Sequence, residues 1–214
     1  MLIKVCGITR AEDAAAAVAA GATALGFVFW PSSPRFVPPA QAATIARTVP
    51  ASVLKVGVFV DADRGHIQDV AAAVGLDVIQ LHGGESRDAA GALTLPVWKA
   101  FGVDDGAEIT SWPSDMMVLL DAIDPRAKGG TGRTVDWAAA AEFARQRAVV
   151  LAGGLTPENV GEAIARVHPR GVDVSSGVEQ APGIKDHEKV RRFVAAARAG
   201  FDALHAVGAR REDA

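Results

Sequence analysis

The chain has 214 residues, half of them hydrophobic and 22% charged, which suits one folded unit with a single large core. A net charge of -3 with no basic block argues against nucleic-acid binding, and the lone cysteine, Cys6, excludes an intramolecular disulfide. The opening Met1-Leu2-Ile3-Lys4 lacks a secretory pattern and the weakly polar stretch Ala14–Trp30 changes periodicity midway, so a cytoplasmic protein with no membrane partner is expected.

Short apolar runs of strand length recur along the chain: Ile3–Cys6, Ala24–Phe29, Leu54–Val60, Val78–His82, Val97–Ala100, Met116–Asp121, Val149–Ala152 and Val172–Val174. Their near-continuous apolar character, without strict alternation, predicts parallel strands covered on both faces. Helix signals lie between them. Thr9-Arg10-Ala11-Glu12 has capping-box spacing and opens an alanine-rich run that Gly21 stops. Gly106–Ser111 is a short fifth helix that ends at Trp112-Pro113. Asp136-Trp137 opens a run to Arg147, and Thr156-Pro157-Glu158 places a capping Thr and an early Pro ahead of Val160–Val167. Asp186 caps the last strong helix, through Val190, Phe193 and Val194, and the tail from 201 to 214 is expected to be frayed.

Eight strand–helix alternations fit a closed barrel or an open doubly wound sheet. Neither a dinucleotide fingerprint nor a P-loop follows an early strand, which favours a single (β/α)8 barrel, an α/β fold, over residues 1–200. In such a barrel the chemistry collects where the strands end. Reading each strand to its end gives Cys6, Arg35 in the second loop, Asp61, His82, Asp121, Gly153-Gly154 and Ser175-Ser176-Gly177. The glycines and serines after strands seven and eight form a candidate phosphate cup, with Ala181–Ile184 as a turn or short helix beside it. Gly129 and Gly130 lie in a loop placed to close over the same region. On the residues alone Cys6 is as readily an inert small hydrophobe, His82 a structural histidine and Asp121 a loop-bonding carboxylate. No spacing of His, Asp and Glu suggests a metal site.

The same residues resemble the phosphoribosylanthranilate isomerase family. The likeness is carried by Lys4-Val5-Cys6-Gly7-Ile8-Thr9, Gly26-Phe27-Val28-Phe29, Ser33-Pro34-Arg35, Gln80-Leu81-His82-Gly83 and Leu119-Leu120-Asp121. It continues through Gly129-Gly130-Thr131-Gly132, Asp136-Trp137, Leu151-Ala152-Gly153-Gly154-Leu155 and Asp173-Val174-Ser175-Ser176-Gly177-Val178-Glu179. Val135 stands where the family often has Phe.

The resemblance implies an Amadori rearrangement in tryptophan biosynthesis, with no cofactor, on a small phosphosugar substrate, by a monomer or homodimer. N-(5-phosphoribosyl)anthranilate becomes 1-(2-carboxyphenylamino)-1-deoxyribulose 5-phosphate. It implies Cys6 as base and Asp121 as acid, with Arg35 on the anthranilate carboxylate. His82, Gly129, Gly130, Gly153, Gly154, Ser175, Ser176 and Gly177 are the remaining substrate-binding candidates. In these roles the Cys6 pKa is expected to be lowered and the Asp121 pKa raised. Two alternatives stay open: the related histidine-pathway isomerisation of a substrate with two phosphates, and a non-catalytic phosphosugar-binding protein. The loops over Pro31–Pro39 and Pro125–Thr134 are the candidates to close on a ligand.

Overall fold

The computed structural model of the protein describes residues 1–122 and 135–212. Gly129 and Gly130, with the whole of the expected closing loop Pro125–Thr134, lie outside the described residues. The apolar runs become β1 (Leu2–Val5), β2 (Ala24–Val28), β3 (Leu54–Phe59), β4 (Val78–Leu81), β5 (Val97–Phe101), β6 (Met117–Leu120), β7 (Val149–Leu151) and β8 (Gly171–Val174). Each pairs in parallel with the next, and β1 pairs with β8, so the sheet closes in chain order. The helices between them are α1 (Ala11–Ala20), α2 (Pro39–Ala46), α3 (Arg64–Val74), α4 (Arg87–Gly91), α5 (Gly106–Ser111), α6 (Trp137–Ala144), α7 (Val160–Val167) and α8 (His187–Glu212). This is the (β/α)8 barrel expected from the pattern.

Two sets of side chains explain why the strands read as almost continuously apolar. Ile3, Val5, Leu25, Phe27, Val118, Leu120 and Val172 face the helices and join the main core. Ala24, Val56, Val78 and Trp98, with Ala100, Leu119, Val150 and Ala152, form separate apolar clusters that fill the barrel interior. Alternation along a strand separates the two sets. Continuing the inward series toward the C-terminal ends, the next residues are Lys4 on β1 and Cys6 just after it, Gln80 on β4 and His82 just after it, Asp121 after β6, and Asp173 on β8 and Ser175 just after it. The barrel interior is therefore apolar at one end and polar at the other.

Several local expectations change. Thr9 does not cap α1: the N-cap is Arg10, without a side-chain cap bond, and the Thr9 hydroxyl donates to the Gly183 carbonyl at 2.5 Å. Thr156 braces the turn before α7, accepting from Glu158 N–H, while Asn159 takes the N-cap position. Asp136 and Asp186 do cap their helices, each accepting from two backbone N–H groups of the first turn. Of the turn or short helix expected at Ala181–Ile184 it is the turn that forms, in a hairpin between β9 (Glu179–Ala181) and β10 (Ile184–Lys185), and a 3₁₀ turn lies earlier, over Ser176–Val178. Past residue 200 the chain continues as helix to Glu212, and Phe201, only 4% exposed, joins the core.

Candidate active site

The residues that end the strands are held by the barrel even where the strands have formally stopped. Cys6 N–H donates to Val174, His82 N–H to Phe59, Asp121 N–H to Phe101 and Ala152 N–H to Leu120. Each such bond, 2.7 to 3.0 Å long, fixes its residue to the neighbouring strand. Their side chains are thus carried on the hydrogen-bonded sheet.

Cys6, Arg35, His82, Asp121 and Ser175 line one cavity of about 100 Å³, together with Gln80 and Asp173. Val28, Trp30, Val58 and Val60 form its apolar wall. Asp61 does not line this cavity; it belongs to the loop after β3, where its carboxylate accepts from Gly84 N–H at 2.6 Å. Gly26 explains how the thiol fits: a Cβ there would lie 2.6 Å from Cys6 Sγ and 3.1 Å from Lys4 Cε. Two neighbouring inward side chains occupy space that any other residue would fill.

Below the thiol lies a buried ion pair. Lys4 Nζ is 3.0 Å from both carboxylate oxygens of Asp173, and the two residues are register partners on β1 and β8. Burial pulls the Lys4 pKa down, but Asp173 and Cys6 outweigh it and the net shift is upward. Burial pushes the Asp173 carboxyl up despite the lysine. Burial likewise raises the Cys6 thiol; Lys4 opposes this and Asp173 adds to it, and the net shift is upward. The lowered thiol expected for a base is therefore absent from the resting site.

Asp121 moves the other way. Burial raises its carboxyl, but His82, the Ala122 N–H and Lys4 together outweigh burial and leave it lowered. His82 Nε2 stands 3.5 Å from Asp121 Oδ2, and Ala122 N–H donates to Oδ1 at 2.8 Å. Both shifts thus run opposite to the directions expected of a base and an acid, the thiol upward and the carboxyl downward. Burial acts on both groups in the same direction; at Cys6 it outweighs Lys4, and at Asp121 His82, the Ala122 N–H and Lys4 together outweigh it.

Arg35 is built into the rim. Ser33 Oγ accepts from Arg35 N–H at 3.1 Å, and Gly7, at φ 74°, leaves room for the arginine stem, which a Cβ would meet at 2.7 Å. The guanidinium donates through Nε and Nη2 to the two oxygens of Glu179, at 2.9 and 2.8 Å. Glu179 also accepts from buried Lys185 at 2.9 Å. One edge of the fork is thereby committed, and the Nη1–Nη2 edge remains for a planar anion. Glu179 was visible in the sequence only as the end of a motif; its pairing with Arg35 spans 144 residues.

The two glycine segments meet beside this cavity. Gly153 and Gly154 have φ of 75° and 66°, and a Cβ on Gly153 would lie 2.6 Å from Ala122 N. A side chain on Gly177 would collide with the Leu155 carbonyl, so the loops after β7 and β8 pack directly on each other. Asn159 braces the first loop, donating to the Gly154 carbonyl and accepting from Thr156 N–H. Ser175 Oγ donates to the Cys6 carbonyl at 3.2 Å, tying the second loop to β1. Ser176 starts the 3₁₀ turn.

A family model described as N-(5′-phosphoribosyl)anthranilate (PRA) isomerase matches residues 3–196. The chain is 50% identical over 198 residues to the N-(5′-phosphoribosyl)anthranilate isomerase of Geobacter sp. (strain M21), covering 92% of this chain and 97% of that one. Among solved structures it is similar to a phosphoribosyl anthranilate isomerase in complex with reduced 1-(o-carboxyphenylamino)-1-deoxyribulose 5-phosphate. That likeness has a TM-score of 0.84 at 40% identity and covers 93% of this chain and 100% of that one. It is also similar to monomers generated from the dimeric enzyme of Thermotoga maritima, with TM-score 0.83, 39% identity and coverage of 93% and 100%. The chain belongs to the N-(5′-phosphoribosyl)anthranilate isomerase family.

Proposed function

We propose that Cys6 and Asp121 carry the general base and general acid of the family's Amadori rearrangement in this chain. The observation behind this reading is that both side chains, from the ends of β1 and β6, line one cavity with Arg35 at its rim. Asp121 delivers a proton to the ribose ring oxygen as the C1–O bond breaks, leaving a protonated Schiff base at C1. Cys6 takes the proton from C2, giving an enol–amine that relaxes to the 1-amino-1-deoxy-2-ketose. No electrons leave the substrate and no cofactor enters the balance.

Arg35 holds the anthranilate carboxylate on its remaining Nη1–Nη2 edge, while Glu179 keeps the guanidinium plane in place. The apolar wall of Val28, Trp30 and Val58 suits the anthranilate ring. The glycine segments at 153–154 and 175–177 receive the phosphate, and His82 supports Asp121. Since the resting site holds a thiol and a carboxylate, chemistry proceeds from the minor form with the proton moved from sulfur to carboxyl. Lys4 makes that form accessible by opposing the effect of burial on the thiol.

The loops after β3 and β4 weigh against a substrate with two phosphates. Their amides are already engaged: Gly84 N–H donates to Asp61, and Asp61 and Gly83 N–H donate to Glu85, at 2.6 to 2.9 Å. Two carboxylates occupy the place where a second phosphate would need donors. The test offers the purified protein each substrate. Turnover of phosphoribosylanthranilate without turnover of the histidine-pathway aminoaldose supports the reading, and the opposite preference overturns it. Binding of the phosphosugar without any turnover would make this a binding protein.

A further inference from the structure

Gln80 is a buried polar residue, 1% exposed, that the mechanism above does not use. It and His82 are two residues apart at the end of β4, so both face the barrel interior. Gln80 Nε2 lies 3.0 Å from His82 Nδ1. Among the described residues, Gln80 Oε1 and His82 Nε2 are buried without a hydrogen bond, and His82 Nε2 stands 3.5 Å from Asp121 Oδ2.

A neutral imidazole carries one proton, and its position is set by the neighbours of the two nitrogens. A carboxylate on the Nε2 side calls for a proton there. Nδ1 is then an acceptor and needs a donor, which a carboxamide NH₂ supplies. A carboxylate at position 80 would instead draw a second proton onto Nδ1 and make the ring an imidazolium. That cation would hold Asp121 ionised, in the form that cannot act as an acid.

We propose that Gln80 is a positioning residue whose amide donates to Nδ1 and holds His82 as the neutral Nε2–H tautomer facing Asp121. The inference rests on the acid role of Asp121 given above. The other charged or titratable groups around the ring are Lys4 and Asp173 from β1 and β8, Cys6 just after β1, Arg35 from the loop after β2, and the Lys99–Glu85 pair beside the β4 loop. None of these offers Nδ1 a hydrogen bond among the described residues.

The test is long-range proton–nitrogen correlation spectroscopy of histidine-labelled protein, with the His82 ring assigned. The wild type is expected to show a neutral ring protonated on Nε2 at neutral pH. In Gln80→Glu both nitrogens become protonated, kcat falls by about 10²-fold with little change in KM, and the acid limb of the rate profile moves to lower pH. An Nδ1–H tautomer or an imidazolium in the wild type overturns the proposal without any variant having to fold. So does an unchanged His82 ring in a folded Gln80→Glu. If the wild-type tautomer is as expected but Asp121→Asn turns over normally, the acid role falls and the catalytic purpose of Gln80 falls with it.

Discussion

Lys4 and Asp173 form an ion pair inside the barrel, with Nζ equidistant from both carboxylate oxygens at 3.0 Å and the lysine fully buried. Such a pair does not stabilise the fold by its charge alone, because desolvation offsets most of the attraction. Its consequence is for the neighbouring thiol, whose ionised form is favoured first by Lys4 and then, less strongly, by Lys185. Lys4→Met is therefore expected to raise the Cys6 pKa further and to lower kcat by at least ~10-fold, with KM nearly unchanged. Cys6 is the lone cysteine, so thiolate absorbance against pH reads it without interference. A thiol that titrates at the same pH in Lys4→Met would remove the lysine from this role.

The pH profile follows from the directions of two shifts. The Cys6 thiol is raised and the Asp121 carboxyl is lowered, whereas the reaction uses a thiolate and a protonated carboxyl. The product of those two fractions is flat between the two pKa values. It falls below the Asp121 value, where the thiolate is lost faster than the acid is gained, and above the Cys6 value, where the acid is lost faster than the thiolate is gained. Asp121 is thus expected to set the acid limb of kcat/KM and Cys6 the alkaline limb. Direct titration of the thiol checks the assignment; a thiol that ionises on the acid limb contradicts it.

Glu179 sits between Arg35 and Lys185, whose side chain is 0% exposed. Removing the carboxylate leaves a buried lysine without its charged partner, with only the Ser175 carbonyl among the described residues to accept from it, so Glu179→Ala is expected to cost about 3 kcal/mol of stability. Burial already pushes the Lys185 pKa down. Loss of the positioning pair should also raise KM. Arg35→Ala is expected to raise KM by about 10- to 100-fold through loss of a charged hydrogen-bonded contact, while leaving the fold intact. Urea unfolding and steady-state kinetics on both variants separate the two effects.

Gly26 leaves the space that Cys6 Sγ and the Lys4 stem occupy. Gly26→Ala is expected to displace the thiol and reduce kcat by about 10²-fold. A variant with wild-type kcat would mean that the thiol has room elsewhere and that its present position is not the productive one.

The barrel was legible because strands buried on both faces read as short apolar runs, and the ends of those runs carry Cys6, His82 and Asp121. The helix caps at Asp136 and Asp186 were legible for the same local reason, a short acidic side chain ahead of a helical run. Thr9 has the spacing of a cap, but a bond to Gly183, 174 residues away, takes its hydroxyl. Lys4 was readable as a neighbour able to influence the Cys6 thiol, but Gln80, Asp173 and Glu179 stood inside recognisable motifs without any visible role. Their partners come from register across strands or from distant loops, which residue spacing along one chain does not express. The protonation states of Cys6 and Asp121 were unreadable for a related reason. Burial acts on both alike, and the outcome depends on how many neighbours oppose it in three dimensions: at Asp121 His82, the Ala122 N–H and Lys4 outweigh burial, while at Cys6 Lys4 and Lys185 do not.

The most direct test of the acid–base assignment is single-turnover loss of phosphoribosylanthranilate fluorescence, with freshly made substrate and excess wild type, Cys6→Ala or Asp121→Asn. The wild type is expected to consume the substrate rapidly, and each variant to do so at least ~10²-fold more slowly while still folded and able to bind a phosphosugar. A variant whose single-turnover rate matches the wild type would contradict the role given to that residue.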